Sequence, residues 1–251
     1  MNLIVGPISS IVAKPRIGGL KKAIFCLEEN IVHVWYVSLA EIQTFFPILQ
    51  STLSEDELTR AKSYYYKKDR NKFTMRRGFL RVLLSKYLTV DAKDIQFCYG
   101  DRGKPKIVNG DTGKPVEFSI SHSEDALLYA FTKKRDVGID IEYVRPIPEM
   151  VKIVDDYFQN DEKNKFKVLP PHLQEEFFFK VWTRKEAFLK ATGKGLNSLS
   201  SRLFSKTNNC QETLKRWNVR NLIPFPGFSA ACAVEGGLPL KWFSIKAQNG
   251  V

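Results

Sequence analysis

A chain of 251 residues, 43% hydrophobic and 26% charged, has the composition of a globular protein that can bury a large core. It contains no run of 18 apolar residues, which excludes a membrane-spanning helix, and residues 1–13 lack the preceding positive charge of a secretory signal. The formal net charge of +12 favours an anionic partner, such as nucleic acid, a polyphosphate ligand or an acidic protein surface, but it fits simple solubility almost equally well.

The four cysteines, Cys26, Cys98, Cys210 and Cys232, are widely spaced and form no CxxC pair. This spacing disfavours a zinc site. We interpret the cysteines as free thiols and expect a cytoplasmic protein.

The first part of the chain predicts an extension, a strand and two helices. Residues 1–30 contain prolines and a glycine pair with little periodicity, so we expect them to be loosely ordered. Residues 31–39 (IVHVWYVSL) predict the first strand. Ser54 and Glu57 have the spacing of a capping box at the start of a helix through LSEDELTRAKSYYYKKDRNKF, residues 53–73. A second helix is predicted in TMRRGFLRVLLSKYL, because its apolar residues line one side.

A strand near IQFCYG and a glycine-rich connector, residues 100–115, come next. The connector contains GKP but lacks the spacing of a phosphate-binding loop, so it predicts a turn. Two strands are then predicted, in VEFSIS and ALLYAFTK. The first leads to Ser121 and His122. An adjacent Ser–His pair does not identify a hydrolase, and by itself it fits either a structural histidine or phosphate binding.

The stretch DVGIDIEYVRP, residues 136–146, alternates apolar residues with Gly138, Asp140 and Glu142. This period predicts a half-buried strand with both carboxylates on its solvent-facing side. Like charges whose Cα atoms are about 6–7 Å apart repel each other unless another group lies between them. The sequence therefore raises the question of what compensates this pair.

The last part of the chain predicts two helices, IPEMVKIVDDYF and residues 174–191, with Gly193 as the C-cap of the second. In that helix Glu186 and Lys190 share a face, which also fits an ordinary surface ion pair. Strands follow in FSAACAVE and LKWFSIKA. Because the helices and strands do not alternate strictly, we predict an α+β fold with an extension (1–30), an N-terminal half (31–136) and a C-terminal half (137–251).

Together these segments resemble the 4′-phosphopantetheinyl transferases, in particular the long, surfactin-synthetase-activating (Sfp) type. The resemblance covers residues 31 to about 246, and it implies two similar α/β halves in a pseudo-twofold arrangement, with the active site in the cleft between them. It also implies a monomer, since the short synthases of the superfamily build each site between subunits. The matching blocks are GKP (103–105), SHS (121–123), VGIDIE (137–142), WTRKEAFLK (182–190) and GKG (193–195).

The resemblance implies that Asp140, Glu142 and Glu186 hold Mg²⁺, with Mn²⁺ as an alternative. The chemistry agrees, because Mg²⁺ takes carboxylate oxygens and shares substrate phosphates. Such a cation would remove the repulsion between the strand carboxylates. Gly138 would let the phosphates approach the backbone closely.

By the same resemblance the substrate is coenzyme A, with His122 at its 3′-phosphate and Lys185 and Lys190 facing its pyrophosphate. Glu186, directly or through a water, would take the proton of the attacking serine, with Glu162 as the second candidate. The implied catalytic residues are thus Glu186, Lys190 and Glu162. The implied coenzyme A residues are Arg60, Arg77, Lys104, Ser121, His122, Lys185 and Lys190.

The implied reaction transfers the 4′-phosphopantetheine arm to a serine of an apo acyl or peptidyl carrier protein and releases adenosine 3′,5′-bisphosphate. Such carriers serve fatty-acid, polyketide and nonribosomal peptide synthesis, and their acidity gives the basic chain a natural partner. One alternative is a basic nucleic-acid-binding protein, which no helix-turn-helix, RNP1 or zinc signature supports. A metal-dependent nuclease is another, since clustered carboxylates suit its chemistry.

Overall fold

The computed structural model describes residues 11–13, 25–100, 103–108, 116–195, 216–224 and 226–245. Helices and three separate sheets confirm the predicted α+β class. In the described ranges no helix is long and apolar enough to cross a membrane. Cys210 lies outside the described residues, and Cys26, Cys98 and Cys232 are free thiols.

The larger sheet has five strands: β1 (Ile11–Ala13), β2 (Val32–Ser38), β5 (Val116–Ser123), β6 (Ala126–Lys133) and β10 (Leu240–Ser244). Their order in the sheet is β1-β10-β2-β6-β5. The last strand of the chain, β10, pairs in parallel with both β1 and β2, so this sheet draws on all three predicted parts of the chain. Its first strand lies within the predicted extension, residues 1–30, which therefore contributes an element to the sheet.

Helices on the N-terminal side pack against this sheet, with Phe79, Leu80 and Leu83 buried against Trp35 and Phe131. The capping box of Ser54 and Glu57 is confirmed, but the predicted helix through residues 53–73 is wrong in extent. It ends at residue 63, an extended residue follows, and a new helix begins at residue 67. The helices are α1 (Leu39–Ile42), α2 (Phe46–Gln50), α3 (Glu55–Ser63) and α4 (Lys67–Leu88), with a 3₁₀ turn at Gln43–Phe45.

The predicted connector contains part of a small hairpin, in which β3 (Phe97–Tyr99) pairs with β4 (Pro105–Ile107). The C-terminal side has a three-stranded sheet in which β9 (Phe228–Glu235) lies between β7 (Val137–Tyr143) and β8 (Trp217–Leu222). The third helix of this side packs on the sheet and ends at Gly193, whose φ of 68° confirms the predicted C-cap. The helices of this side are α5 (Met150–Tyr157), α6 (Asn160–Val168) and α7 (Pro171–Thr192).

The strand β7 is more deeply buried than its alternating sequence predicts. Its first five residues are all buried, including Asp140 with 3% of its surface exposed, so the prediction of a solvent-facing side is wrong. The cause is α7, which lies directly on that face. A Cβ atom at Gly138 would come within 1.9 Å of the carbonyl oxygen of Ala187. In this structure Gly138 therefore admits the backbone of α7, where the sequence predicted an approach of substrate phosphates.

Candidate active site

A cavity of about 590 Å³ lies between the two sides of the molecule. The GKP turn, strand β5 and the C-terminal part of α7 line it. Three of the predicted site residues lie on its wall: Lys104, Glu186 and Lys190. The structure therefore brings residues from distant parts of the sequence to one place.

Asp140 is the most deeply buried carboxylate beside this cavity. Its Oδ1 atom accepts hydrogen bonds from the Ser121 hydroxyl at 2.8 Å and from the Lys190 ammonium at 2.7 Å. Its Oδ2 atom is buried and has no hydrogen-bond partner in the described part of the chain. An unpaired buried acceptor costs free energy, so this oxygen is suited to a ligand that the protein itself does not provide.

Glu142 and Glu186 interact electrostatically with Asp140. Burial raises the pKa of Glu142; the Ser123 hydroxyl, which donates to Oε2 at 2.8 Å, opposes the shift, and the charge of Asp140 adds to it. Burial likewise raises the pKa of Glu186, and the charge of Asp140 raises that pKa further. The three carboxylates thus form one cluster, and we call Asp140, Glu142 and Glu186 the carboxylate cluster.

The carboxylate cluster fits a magnesium ion in its chemistry. Within the described ranges no group of three or more His, Cys, Asp or Glu side chains is already arranged as a metal site. Mg²⁺ does not require one, because it usually binds one or two carboxylates, keeps several waters and takes the remaining oxygens from substrate phosphates. The unpaired Oδ2 of Asp140 and the carboxylate of Glu142 offer such oxygens.

A second cavity of about 220 Å³ adjoins the first, and both are lined by Gly103, Pro105 and Ile120. Its wall also carries several basic side chains, which makes it suited to an anion. The basic residues on this wall are Arg60, Arg76, Arg77 and His122.

His122 is held in one tautomer by Arg76. The Arg76 guanidinium lies 2.6 Å from Nε2 of His122, and because a guanidinium only donates, Nε2 must accept and the ring proton lies on Nδ1. Desolvation by the surrounding protein, followed by the positive charge of Arg76, lowers the pKa of His122 to about 4, although the residue as a whole is exposed. An incoming phosphate would counter the charge of Arg76.

Two of the predicted coenzyme A residues line the cavities while contacting other protein groups. The ammonium of Lys104 donates to the backbone carbonyls of Lys190 at 2.8 Å and Val137 at 3.3 Å, which ties the GKP turn to the C-terminal side. Arg60 is exposed, and its guanidinium lies 5.5 Å from the centre of the Phe73 ring. Both side chains remain next to a cavity.

Arg77, also on the wall of the smaller cavity, is buried and satisfied by protein groups. It donates to the carboxylate of Glu57 and, at 2.6 Å, to the hydroxyl of Tyr99, and its guanidinium stacks on the Phe97 ring at 3.9 Å. These contacts account for the position of Arg77 by structure alone.

Lys185 and Glu162 form an ion pair with each other. The distance from Nζ of Lys185 to Oε2 of Glu162 is 2.9 Å, and the lysine side chain is only 2% exposed. The same Glu162 oxygen accepts the backbone N–H of Gln159 in the capping box of α6. Neither residue is part of the wall of the cavities described above.

Arg76 and Ser123 were not predicted from the sequence as site residues. Arg76 belongs to a visible arginine pair in TMRRG, but nothing local shows that Arg76 contacts His122 while Arg77 pairs with Glu57. Ser123 continues the alternation that includes Ser121, and this period-2 pattern was a usable signal.

Two family models match consecutive parts of the chain. A model described as "4′-phosphopantetheinyl transferase, N-terminal" matches residues 35–134, and the model of the 4′-phosphopantetheinyl transferase superfamily matches residues 136–234. The 4′-phosphopantetheinyl transferase HetI of Nostoc sp. is 35% identical over 208 residues, which cover 82% of this chain and 88% of that protein. The chain belongs to the 4′-phosphopantetheinyl transferase superfamily.

Other relatives support this membership at lower identity. The 4′-phosphopantetheinyl transferase Sfp of Bacillus subtilis is 29% identical over 147 residues, covering 59% of this chain and 63% of the relative. The 4′-phosphopantetheinyl transferase gsp of Aneurinibacillus migulanus is 27% identical over 193 residues, covering 74% of this chain and 78% of the relative. The resemblance seen in the sequence is confirmed, and the chain is a phosphopantetheinyl transferase rather than a nuclease or a nucleic-acid-binding protein.

Proposed function

We propose that this transferase moves the 4′-phosphopantetheine arm of coenzyme A to a serine hydroxyl of an apo acyl or peptidyl carrier protein. The reaction would depend on Mg²⁺ and release adenosine 3′,5′-bisphosphate. The observation that carries the proposal is the unpaired Oδ2 of Asp140, which lies in a carboxylate cluster next to a cavity with basic walls. This combination suits a metal ion bound together with a polyphosphate.

The anionic substrate would lie across both cavities. Its 3′-phosphate would lie near His122 and Arg76 in the smaller one, where Arg60 adds a further positive charge. Its pyrophosphate would lie in the larger cavity, within reach of Lys190, whose ammonium already contacts Asp140 and Ser121. The adjoining walls support a single extended ligand.

The carboxylate cluster would hold the magnesium ion. When bound, the cation would neutralise the pyrophosphate and stabilise the charge that develops on the leaving bisphosphate. Phosphoryl transfer depends mainly on such positioning and charge stabilisation. Lys190 would contribute a second positive charge at the same place.

The serine oxygen of the carrier would form a bond to the β-phosphorus of coenzyme A, while the bond from that phosphorus to the bridging oxygen of the pyrophosphate breaks. The electron pair of the broken bond leaves with adenosine 3′,5′-bisphosphate. The serine proton would pass to Glu186, which lines the larger cavity. The structure favours Glu186 over Glu162 for this role, because Glu162 is bound by Lys185.

The partner would be acidic, since the net charge of the chain is +12. Complementary charge between two proteins speeds their encounter and orients it. The proposal therefore includes a carrier protein with a negatively charged surface around its reactive serine.

The test is a transfer assay with the purified protein, coenzyme A, Mg²⁺ and an apo carrier protein. We expect mass spectrometry to show the phosphopantetheine adduct on the carrier and an equal amount of adenosine 3′,5′-bisphosphate. A carrier with its serine replaced by alanine, and a reaction with EDTA, should give no adduct. Full transfer in the presence of EDTA would contradict the metal dependence, and no adduct with any acyl or peptidyl carrier would contradict the proposed function.

A further inference from the structure

The two main sheets meet at their edge strands, β5 and β7, through side chains. Alternate serines of β5 accept hydrogen bonds from alternate backbone N–H groups of β7, always 20 residues further along the chain. The constant offset shows that the two strands run parallel in one register. The pairs are Ser119 with Ile139 at 3.1 Å, Ser121 with Ile141 at 3.4 Å, and Ser123 with Tyr143 at 3.0 Å.

We call Ser119, Ser121 and Ser123 the serine ladder. All three side chains are at least nine-tenths buried, with exposures of 4%, 8% and 6% in chain order. Side-chain bridges hold two strands farther apart than direct backbone pairing would. The ladder therefore joins the two sides of the molecule.

Two of the three serines in the ladder also donate a hydrogen bond to a carboxylate. Ser121 contacts Asp140 at 2.8 Å, and Ser123 contacts Glu142 at 2.8 Å. A hydroxyl has a single proton to donate, and since each of these oxygens accepts a backbone N–H, its proton is available for the carboxylate. Ser119 makes the same backbone bond but contacts no carboxylate in the described residues.

We propose that Ser123 is a positioning residue for the transfer reaction: it fixes the carboxylate of Glu142 against the backbone of β7 in the orientation that binds the cation. The proposal rests on the proposed function. With 6% of its surface exposed, Ser123 acts through Glu142 and not by direct contact with the substrate. Its two bonds tie Oε2 of Glu142 to the N–H of Tyr143 through a single oxygen atom.

The physical reason is preorganisation. A glutamate side chain has three rotatable bonds, and an unrestrained carboxylate must be ordered each time a cation binds. A hydrogen bond from a buried, fixed hydroxyl orders the carboxylate when the protein folds, before any cation binds. Partners that orient a metal ligand typically change metal affinity by about 10–100-fold when they are removed.

The chain itself provides a matched control, because Ser119 belongs to the same serine ladder but contacts no carboxylate in the described residues. We would compare Ser123→Ala, Ser119→Ala and Ser123→Thr by titrating Mg²⁺ and Mn²⁺ into the protein without coenzyme A, and by thermal unfolding. Both alanine variants should lower the melting temperature by similar amounts. Only Ser123→Ala should weaken cation binding, by about 10-fold or more. Ser123→Thr should restore most of the affinity.

A double-mutant cycle sharpens the assignment. In a Glu142→Ala background, Ser123→Ala should change cation affinity no further, since the carboxylate that Ser123 orients is already lost. If Ser123→Ala does not fold, Ser123→Cys places a slightly larger thiol at this position, which is a weaker hydrogen-bond donor, and should still reduce affinity. The inference is overturned if Ser123→Ala binds cations like the wild-type protein, or if Ser119→Ala weakens binding by the same factor.

The proposed function is judged separately, by carrier modification with the wild-type protein. If the wild-type protein modifies the carrier and Ser123→Ala matches Ser119→Ala in cation affinity, only the positioning role fails. If the wild-type protein yields no adduct, the proposed function fails, while the cation titration still decides whether Ser123 orients Glu142.

Discussion

Two clusters of charged side chains, a buried one on the N-terminal side and a partly buried one on the C-terminal side, differ in how completely protein partners satisfy them. On the N-terminal side, both oxygens of Glu57 are used, one by Arg77 and the other by Arg81 at 2.6 Å. Arg81 also donates to the backbone carbonyls of Ala92 at 2.7 Å and Ile95 at 3.0 Å. Protein groups satisfy both oxygens of the carboxylate in this cluster, and we call it the closed cluster.

On the C-terminal side, the three carboxylates of the carboxylate cluster influence one another electrostatically, and Lys190 forms an ion pair with one of them, Asp140. One buried carboxylate oxygen, Oδ2 of Asp140, has no partner in the described chain, and the cluster borders a cavity. Because one of its oxygens is left for a ligand, we call it the open cluster.

The comparison shows that burial of charge has different meanings in the two places. A closed cluster can be disrupted only at a large cost, because removing one charge leaves the others buried without a counter-ion. An open cluster leaves a buried polar atom without a partner in the free protein, and a ligand can provide that partner. We therefore expect substitutions in the closed cluster to change stability and substitutions in the open cluster to change transfer.

The largest effect is expected for Asp140→Asn, which keeps the shape of the side chain and removes its charge. The rate of carrier modification should fall by about 10³-fold, because a ligand of the cation and a partner of Lys190 are lost. The melting temperature should change by only a few degrees. Transfer at an unchanged rate in saturating Mg²⁺ would show that Asp140 has a structural role.

The matching substitution in the closed cluster is Glu57→Gln. It leaves Arg77 and Arg81 buried without a counter-ion, so the free energy of unfolding should fall by about 3–5 kcal/mol, as measured by urea denaturation. The exposed Glu55 on the same helix provides the control, and Glu55→Gln should change stability by less than about 0.5 kcal/mol. A similar small effect for both variants would contradict the distinction between closed and open clusters.

A smaller effect is expected for a substitution on the wall of the smaller cavity, where it should change the binding of coenzyme A. His122→Ala should weaken the binding of coenzyme A by about 10-fold, the value of a hydrogen bond to a charged group. The binding of 3′-dephospho-coenzyme A, measured in the same calorimetric experiment, should hardly change, since it lacks the phosphate. Equal losses for both ligands would place His122 elsewhere on the substrate.

The smallest effect concerns a buried group outside both clusters. Burial lowers the pKa of His33 to about 4, so the unfolded chain binds a proton there before the folded protein does. Stability is therefore fully present above pH 6.5 and is lost as the pH falls towards 4. Between pH 7.5 and 5.5 the expected loss is about 1 kcal/mol.

The pH measurement is made in the His122→Ala background, because the pKa of His122 is also lowered. Comparing this protein with one that also carries His33→Gln isolates the contribution of His33. We expect the second protein to lose less stability over the same pH range. An identical slope in both would mean that His33 does not titrate in this window.

The sequence by itself determined the family, the class and the local elements. The blocks VGIDIE and WTRKEAFLK identified the superfamily, which the family matches confirm. Apolar periodicity located β2 and most of α4, and Ser54, Glu57 and Gly193 marked helix ends correctly. These signals are local, since a helical face or a cap depends on residues only a few positions apart.

The tertiary structure decided which charged groups reach the cavity and which are satisfied elsewhere. Lys185 and Lys190 look equivalent in the sequence, yet one pairs with Glu162 and the other with Asp140. Gly138 admits a helix, and the serines of β5 bind the backbone of β7. These contacts join residues distant in sequence, and the partner that compensates a buried group depends on how separate elements pack, which no local pattern encodes.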